Sequence, residues 1–384
     1  MKKIITHIAT AILLSITFFS CNSGELLNSE ADILEVILPE GLKVGEPIIT
    51  NTTVRIPKLA ITPQEKSTLD KQLKELTLQF VLTPGASISN ENTARDFTEN
   101  QIFTVTSEDG KWKKNYEISF FNATFKKTEL SFDHYEADPK YKYQKFYETD
   151  SIGAKLYVWD SGNAGYAITK KGAPAEDYPT SVTPFGQKGT GAKLMTCSTG
   201  ELGTTFGMPI AAGNLFLGYF NVNIATKRPL EATEFGIQTT MKKPTKVTMW
   251  CKYKEGPEYK DKDGNVLDIK DRPEIYSVLY EAKKDESGNP IKLNGHNIRT
   301  ADNIISIAAL SEEQVEKIRV NNLEKDPYVS VELPFEDRLQ FDPEKQENGD
   351  YYIALVFSSS AKGNLFEGAI GSTLLVDEIK FITE

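Results

Sequence analysis

Short apolar runs, separated by turn-forming residues, recur along most of the 384-residue chain. In the N-terminal part, alternation of apolar and polar residues is clearest in Phe103–Thr106 and again in Tyr116–Phe120, and an Asp109–Gly110 turn lies between the two runs. This spacing predicts a β-hairpin. Several more short runs lie between residues 30 and 125. We therefore predict an immunoglobulin-like β-sandwich over residues 32–125.

The pattern restarts near residue 126 and stays rich in strand-like runs to the end of the chain. These runs lie at residues 154–160, 192–199, 215–224, 245–253, 274–282, 303–310, 328–335, 351–360 and 373–381. They do not alternate with long helical patterns, which argues against a parallel sheet. The sequence therefore predicts an all-β protein, in which the N-terminal sandwich is followed by a larger β-jelly-roll sandwich over residues 126–384.

Local signals predict two short helices and two hairpin turns. Thr62–Glu65 forms a capping box with proline at the first helical position, which predicts one helical turn. Ser311–Gln314 forms a second capping box, which predicts a helix over residues 312–319. The segments Asp263–Asn265 and Ser287–Pro290 are typical of hairpin turns.

Residues 1–21 resemble a bacterial lipoprotein signal peptide. Lys2 and Lys3 precede a mostly apolar stretch at residues 8–19, which is too short to span a bilayer comfortably. Cys21 follows a small residue at the position where such a signal is cut. We therefore expect Cys21 to be lipidated; an ordinary signal peptide with a chance cysteine is the alternative. The polar residues 22–31 predict a tether between the lipid and the first domain.

A lipid on Cys21 predicts an outer-membrane lipoprotein, with the cell surface favoured over the periplasmic face. The chain has 44 Lys and Arg residues against 54 Asp and Glu residues, a net charge of −10. This balance argues against nucleic acid as a partner and against membrane binding by charge. Three cysteines and three histidines leave little for a zinc site or a disulfide framework. For Cys197 and Cys251, two buried free thiols are favoured over one disulfide.

Several motifs in the second half of the chain resemble those of one protein family. They are Ala211–Phe220, Phe235–Gly236, Lys243–Pro244, Trp250–Gly256, Ser358–Ser360 with Gly363, and Gly371–Ile379. In this order they are similar to the putative carbohydrate metabolism domain of Bacteroidetes lipoproteins. The resemblance implies an Ig-like domain followed by a jelly roll similar to galactose-binding and carbohydrate-binding-module folds. It also implies glycan binding or utilisation together with partner proteins of a glycan-utilisation system, and it implies no particular catalytic mechanism.

Sugar recognition uses aromatic rings for the apolar faces of the sugar, and amide or carboxylate groups for its hydroxyls. Side chains two positions apart on a strand share a face, so one face of a run can be separated from the other. In residues 246–254, Trp250 lies opposite a core set that consists of Val247, Met249, Cys251 and Tyr253. The pattern thus predicts a tryptophan on a non-core face.

Two other runs give a similar pattern. In residues 155–160, Trp159 lies opposite the apolar Leu156 and Val158. In residues 216–224, Tyr219 and Asn221 lie opposite a core set that consists of Phe216, Phe220, Val222 and Ile224. We therefore predict a glycan-binding face that includes Trp159, Tyr219, Asn221 and Trp250. The alternative is a second core in which loops cover these aromatic side chains.

Glycoside hydrolysis needs two carboxyl groups that face each other across the scissile bond. The candidates by position are Asp160, Glu176, Asp177 and Glu201. No spacing singles out a pair among them, so a non-catalytic protein is favoured over an enzyme.

One metal site is implied by the resemblance to carbohydrate-binding jelly rolls, which often hold a structural calcium ion where the last strand meets the first. Asp377, with Asp133 or Glu136, occupies comparable positions. Hydrogen bonding of Asp377 to nearby backbone is the alternative. A second oxygen-rich segment, Asp261–Asp268, lacks the later bidentate glutamate of an EF-hand, so a hairpin turn explains it better.

These observations favour non-catalytic glycan binding by a membrane-anchored lipoprotein that acts in carbohydrate acquisition. A glycoside hydrolase or a related carbohydrate-active enzyme is the first alternative, and it requires two acids across a cleft. A surface adhesin that binds protein is the second alternative, and it requires a broad apolar patch.

Overall fold

The computed structural model describes residues 27–45, 47–58, 63–122, 125–149, 155–286 and 290–384. The predicted signal peptide with Cys21, the first residues of the predicted tether, Thr62 of the first capping box and residues 287–289 of one predicted turn lie outside the described residues. Within the described ranges, no helix is both long enough and apolar enough to cross a membrane.

The N-terminal strands form two sheets. The strands are β1 (Ile33–Ile37), β2 (Ile48–Ile49), β3 (Thr53–Lys58), β4 (Gln79–Leu82), β5 (Ser87–Ile88), β6 (Gln101–Thr106) and β7 (Lys113–Asn122). β1 pairs with β4, and the other five strands are ordered β2-β3-β7-β6-β5. The predicted hairpin is confirmed, since β6 and β7 pair from Gln101 opposite Ile118 to Thr106 opposite Lys113.

A helix, α1 (Pro63–Lys74), lies between β3 and β4 in the chain. The sequence predicts a single turn here, whereas the helix has 12 residues. Leu69 and Leu73, four residues apart, therefore lie on one helix face, and both are buried. Burial of this apolar stripe explains why the helix continues beyond its first turn, because packing supplies most of the stability of a short helix.

The larger C-terminal part is described from residue 125 onward, apart from residues 150–154 and 287–289, and there it contains many short strands and five short α-helices. The strands are β8 (Glu129–Leu130), β9 (Tyr135–Ala137), β10 (Gln144–Phe146), β11 (Glu148–Thr149), β12 (Lys155–Leu156), β13 (Trp159–Asp160), β14 (Thr180–Thr183), β15 (Gly191–Met195), β16 (Cys197–Ser198), β17 (Ile210–Ala211), β18 (Asn214–Phe220), β19 (Thr233–Phe235), β20 (Ile237–Thr239), β21 (Pro244–Lys254), β22 (Tyr259–Lys260), β23 (Val266–Leu267), β24 (Glu274–Glu281), β25 (Lys283–Lys284), β26 (Pro290–Ile291), β27 (Ile304–Ala309), β28 (Val329–Pro334), β29 (Glu336–Asp337), β30 (Tyr351–Ser358), β31 (Gly368–Ala369) and β32 (Thr373–Thr383). The helices are α2 (Asn163–Thr169), α3 (Gly200–Thr205), α4 (Val222–Ala225), α5 (Glu312–Ile318) and α6 (Pro343–Asn348).

Two large antiparallel sheets dominate this part. One has six strands, ordered β14-β15-β32-β21-β28 with β8 beside β32. The other has eight, ordered β13-β18-β30-β24-β27-β29 with β19 beside β18 and β20 beside β30. Apolar residues of both sheets share one buried core, which includes Val247, Met249, Cys251 and Tyr253 of β21 and Leu215 and Leu217 of β18. The predicted all-β sandwich is therefore confirmed, as is the predicted core face of β21.

The outer face of the eight-stranded sheet carries a second apolar cluster. On β30, Tyr351, Ile353, Leu355 and Phe357 face the sandwich core, whereas Tyr352, Ala354 and Val356 belong to the second cluster. All seven residues are buried. A strand buried on both faces carries no polar alternation, so its pattern does not distinguish the inner face from the outer one.

Short local elements agree with the sequence in most cases. Ser311 forms the predicted capping box with Gln314 at the start of α5. β22 and β23 pair on either side of the turn at Asp263–Asn265, which confirms this hairpin turn, and the Asp261 side chain accepts hydrogen bonds from the backbone N–H groups of Asp263 and Asn265. The strand predicted over 215–224 instead ends at Phe220, because Asn221 caps the short helix α4.

By compactness the chain divides into two units. Among the described residues, the first contains those up to Glu40 together with Ile49–Arg55 and Glu75–Ser119. The second contains Gly41–Ile48, Ile56–Lys74 and Phe120–Glu384. The domain boundary placed between residues 125 and 126 stays a prediction.

Candidate functional site

A cleft with a volume of about 560 Å³ lies on the outer face of the eight-stranded sheet, within the second unit. Side chains of β18, β30 and β24 form its floor. Its walls come from α2, from the end of α3 with Phe206, from residues 225–230, from the segment 295–300 and from residues 360–366. A volume of this size is typical of small-molecule binding sites.

The floor consists of two rows that cross the three strands. Asn214, Ser358 and Glu274 lie side by side, because both Asn214 and Glu274 are paired in register with Ser358. Two residues along each strand, Phe216 and Tyr276 flank Val356 in the same way. The floor therefore places a row of polar groups next to a row of apolar groups.

The walls add apolar side chains that remain accessible. Phe206 is 59% exposed, Leu365 is 45% exposed and Ile168 is 39% exposed, and all three line the cleft. Gly363 brings one wall against the end of β17, since a β-carbon at this position would lie only 2.4 Å from the Ala212 side chain. Accessible aromatic and aliphatic side chains in the same cleft as a polar row suit a ligand with both apolar faces and polar edges.

One ion pair lies at the edge of the floor. Arg299 pairs with Glu274, and its guanidinium carbon lies 5.4 Å from the centre of the Tyr276 ring. Burial raises the pKa of the Glu274 carboxyl group, and the positive charges of Arg299 and Arg272 oppose this shift. Among the described residues that line the cleft, Glu274 is the single acidic one.

A buried carboxylate supports the wall from behind. Asp271 is 2% exposed and accepts hydrogen bonds from the Ser360 hydroxyl (2.6 Å), the Ser372 hydroxyl (2.7 Å) and the Ala369 backbone N–H (2.8 Å). Ser360 itself lines the cleft. Neither Asp271 nor Glu274 is predicted from the sequence, because no local pattern sets these two acids apart from the other acids of the chain.

Trp159 is not ligand-facing, and its prediction is wrong. The side chain is 4% exposed and packs against Phe132 and Phe357 in the sandwich core. Its indole N–H donates a 3.0 Å hydrogen bond to the buried carboxylate of Glu148. The physical reason is that residues 155–160 do not form one strand: Leu156 lies in β12, which pairs with β11, whereas Trp159 lies in β13 of the eight-stranded sheet. Alternation across residues 157–158 therefore does not assign the face of Trp159.

Tyr219 and Asn221 lie at the end of β18, are half-buried and do not line the cleft. The Asn221 side chain accepts the Asn223 backbone N–H as the cap of α4. The predicted faces of this strand are wrong, because Leu217 lies in the sandwich core whereas Phe216 lies in the cleft floor. Alternation identifies the core face only when the other face is exposed, and on β18 both Phe216 and Leu217 are buried.

Trp250 is half-buried and lies on the non-core face of β21, as predicted, opposite Ser330 and Asp377. This face belongs to the six-stranded sheet, so Trp250 does not line the cleft on the other sheet. A ligand at Trp250 stays a prediction, and the structure does not bring the four predicted site residues together.

The predicted calcium residues lie close enough to influence each other. Asp377 is fully buried, its Oδ2 accepts the Lys188 backbone N–H at 2.9 Å, and its Oδ1 has no hydrogen-bond partner among the described residues. Burial, together with the negative charges of Glu378 and Asp133, raises the pKa of Asp377 to about 6. Asp133 accepts a hydrogen bond from the Thr190 backbone N–H.

Two carboxylates with one orphaned buried oxygen fit a hard cation such as calcium. In the part of the chain that the structure describes, however, no group of three or more His, Cys, Asp or Glu side chains could hold a metal ion. Backbone oxygens would have to supply further ligands. Calcium binding therefore stays a prediction.

The four candidate acids lie outside the cleft, and the two thiols are buried. Asp160 is half-buried and accepts hydrogen bonds from the backbone N–H groups of Ser161 and Phe220, and desolvation of its carboxyl group raises its pKa to about 6. Glu176, Asp177 and Glu201 are exposed, and none of the four acids lines the cleft. Cys197 and Cys251 are free and buried, which confirms the prediction of two buried free thiols.

Comparison with known proteins gives a consistent picture. A family model described as the putative carbohydrate metabolism domain matches residues 131–382. The chain is similar to a solved structure described as a putative glycoside hydrolase from Bacteroides thetaiotaomicron, with 38% identity and a TM-score of 0.62 over 94% of this chain and 98% of that chain. A second such structure, from Bacteroides vulgatus, has 35% identity and a TM-score of 0.60 over 68% of this chain and 100% of that chain. No curated protein matches the chain.

Proposed function

The chain belongs to the putative carbohydrate metabolism domain family, and we propose that its cleft binds a glycan without hydrolysing it. The proposal includes a lipid anchor on Cys21 and a role in carbohydrate acquisition at the outer membrane. One observation carries it: the cleft floor places the polar row Asn214–Ser358–Glu274 beside the apolar row Phe216–Val356–Tyr276. A pyranose ring has the matching combination of an apolar face and an edge of hydroxyls.

The binding proposal is supported by the kind of surface that the cleft offers. Phe206 and Leu365 are accessible apolar side chains at its rim, and they resemble the aromatic and aliphatic platforms on which sugar faces pack. Amide and hydroxyl groups at the floor are suited to hydrogen bonds with sugar hydroxyls. The cleft volume of about 560 Å³ accommodates a short oligosaccharide segment.

We propose that the chain does not hydrolyse the glycan because too few acidic side chains line the cleft. Both retaining and inverting glycosidases require two carboxyl groups, about 5–10 Å apart across the bond. The described residues that line the cleft include a single acid, Glu274, and this acid is paired with Arg299. A lone carboxyl group is insufficient for the usual two-carboxylate mechanism.

Binding is tested with a glycan array followed by isothermal titration calorimetry on the chain without its signal peptide. We expect Phe206→Ala to lower the affinity about 10-fold or more, the size expected for an aromatic contact. Phe185→Ala is the matched control, since Phe185 is 65% exposed and does not line the cleft. Absence of binding to every plant, bacterial and host glycan overturns the proposal, as does equal binding by the Phe206 variant.

A glycoside hydrolase is the second candidate, because both similar structures are described as putative glycoside hydrolases. In this case Glu274 is the best-placed general acid, since burial raises the pKa of its carboxyl group. The measurement is the release of reducing ends from each polysaccharide that binds. Release by the wild-type chain and its loss in Glu274→Gln overturns the non-catalytic proposal.

Membrane attachment is tested separately. We expect the wild-type precursor to fractionate with the outer membrane and to incorporate labelled fatty acid, and Cys21→Ala to do neither. Proteolysis of intact cells distinguishes the cell surface from the periplasmic face. A Cys21→Ala variant that remains in the membrane fraction contradicts the lipid anchor.

A further inference from the structure

We propose that Arg299 forms a carboxylate-binding subsite in the cleft, so that the preferred glycan carries an acidic sugar, either a uronic acid or a sialic acid. This inference rests on the proposed glycan binding and specifies its ligand class. It comes from the way the guanidinium group is held and from the charges that surround it.

The guanidinium group of Arg299 is fixed by two neighbours on one strand. Glu274 and Tyr276 are two positions apart on β24, so their side chains lie on the same face of the sheet. Arg299 pairs with the carboxylate of the first and lies over the ring of the second, at 5.4 Å from its centre. Such a double contact orients the planar guanidinium before any ligand arrives.

The backbone of Arg299 is also held. Its carbonyl oxygen accepts a 2.8 Å hydrogen bond from the Arg338 guanidinium group. Nearby, Asn297 accepts the Asn294 backbone N–H through its side chain, and Ala301 donates to the Asn297 carbonyl. The arginine therefore projects from a segment that is tied down on both sides, which lowers the entropic cost of ligand binding.

Most of the N–H donors on the Arg299 side chain have no hydrogen-bond partner among the described residues. A guanidinium group has five N–H donors, and the contact with Glu274 involves one nitrogen, Nη1. The Arg299 side chain is 49% exposed and lines the cleft. Its free donors match a carboxylate geometrically, because two parallel N–H groups can bind both oxygens.

The charge of the cleft favours an anion although the whole chain carries a net charge of −10. Arg299 and Lys362 line the cleft as cations, with His296 as a neighbouring imidazole, whereas Glu274 is the lining acid. Lys362 pairs through its single ammonium group with Glu367 at 3.2 Å, whereas the contact of Arg299 with Glu274 involves only one of its three guanidinium nitrogens, so Arg299 is the main group for a ligand carboxylate.

The test uses calorimetry with four acidic probes and the methyl ester of each. The probes are trigalacturonate, a glucuronate-containing hyaluronan tetrasaccharide, a mannuronate trisaccharide and 3′-sialyllactose, which distinguish uronic acids from sialic acid. We expect at least one free acid to bind and its ester to bind about 10- to 100-fold more weakly, the range for a charge-assisted hydrogen-bonded pair. Higher salt weakens binding of the free acid.

Variants locate the effect. Arg299→Gln is expected to reduce the affinity for the free acid to that for the ester, and Arg299→Lys is expected to restore part of it, because lysine keeps the charge without the planar fork. Lys317→Gln removes one positive charge from the exposed side of α5 and serves as the control. Equal binding of acids and esters, or neutral glycans binding while all four acids fail, overturns this inference and leaves glycan binding intact. If no glycan binds, neutral or acidic, both the acidic-sugar inference and the proposed glycan binding are overturned.

Discussion

Ser360 and Asp271 are joined by a 2.6 Å hydrogen bond directly behind the wall of the cleft. The same carboxylate oxygen also accepts the Ser372 hydroxyl and the Ala369 backbone N–H. Three donors from one stretch of chain therefore converge on one buried acid. Because this stretch includes the cleft wall, the shape of the cleft depends on a residue that does not line it.

We predict that Asp271→Ala destabilises the protein by about 2–4 kcal/mol, because two hydroxyls and one backbone N–H lose their common acceptor in a buried position. Urea unfolding of the chain without its signal peptide measures this change. Asp271→Asn retains one acceptor oxygen, so its free energy of unfolding should lie between those of the wild-type chain and Asp271→Ala. The exposed Asp263→Ala is the control, with an expected change within about 0.5 kcal/mol. A stability loss no larger than that of the control contradicts the role assigned to Asp271.

The two tryptophans should respond differently to truncation. Trp159→Ala removes a core side chain and leaves the Glu148 carboxylate without one of its donors, so we expect a loss of about 3–5 kcal/mol. Trp250 is half-buried on the other sheet, and Trp250→Ala should cost about 1 kcal/mol. Chemical denaturation of both variants provides the comparison. Equal losses would contradict the placement of Trp159 inside the sandwich and of Trp250 on its outer face.

Asp377 should make stability depend on pH. Its pKa is about 6 in the folded chain, against about 3.9 for an aspartate in an unfolded chain. Between these values the unfolded state is ionised while the folded state keeps the proton, so this group contributes stability below pH 4 that is lost as the pH rises to about 6. We expect the stability difference between wild type and Asp377→Asn to fall over this interval. A difference that stays constant contradicts the raised pKa. The measurement is made in the presence of a chelator.

If the orphaned Oδ1 of Asp377 binds calcium, the ion should offset the stability that is lost when this carboxyl group ionises. At pH 7, saturating calcium is expected to raise the melting temperature of the wild-type chain, since a ligand at 100 times its Kd contributes about 2.7 kcal/mol. Asp377→Asn and Asp133→Asn should show a reduced response. Magnesium is the control, because it requires a stricter octahedral arrangement. Identical melting temperatures in calcium and in chelator contradict the predicted site.

Several local features were predictable from the sequence because their causes lie within a few residues. The hairpin of β6 and β7 follows from alternation around Asp109–Gly110, and the start of α5 follows from Ser311 and Gln314. The core face of β21 was also predictable, because its outer neighbours are mostly polar. In each case one residue pattern satisfies both the backbone and the burial of one face.

The position of the cleft and the side chains that line it depend on the tertiary structure alone. Asn214, Ser358 and Glu274 come from three strands far apart in sequence and meet only through the strand register. β18 and β30 are apolar toward both faces, so alternation does not show whether Phe216 or Leu217 faces the sandwich core. Which face is covered by the second sheet, and which is left to form a cleft, depends on how the sheets pack. The sequence determined that these segments are strands, whereas the packing determined which of their side chains a ligand can reach.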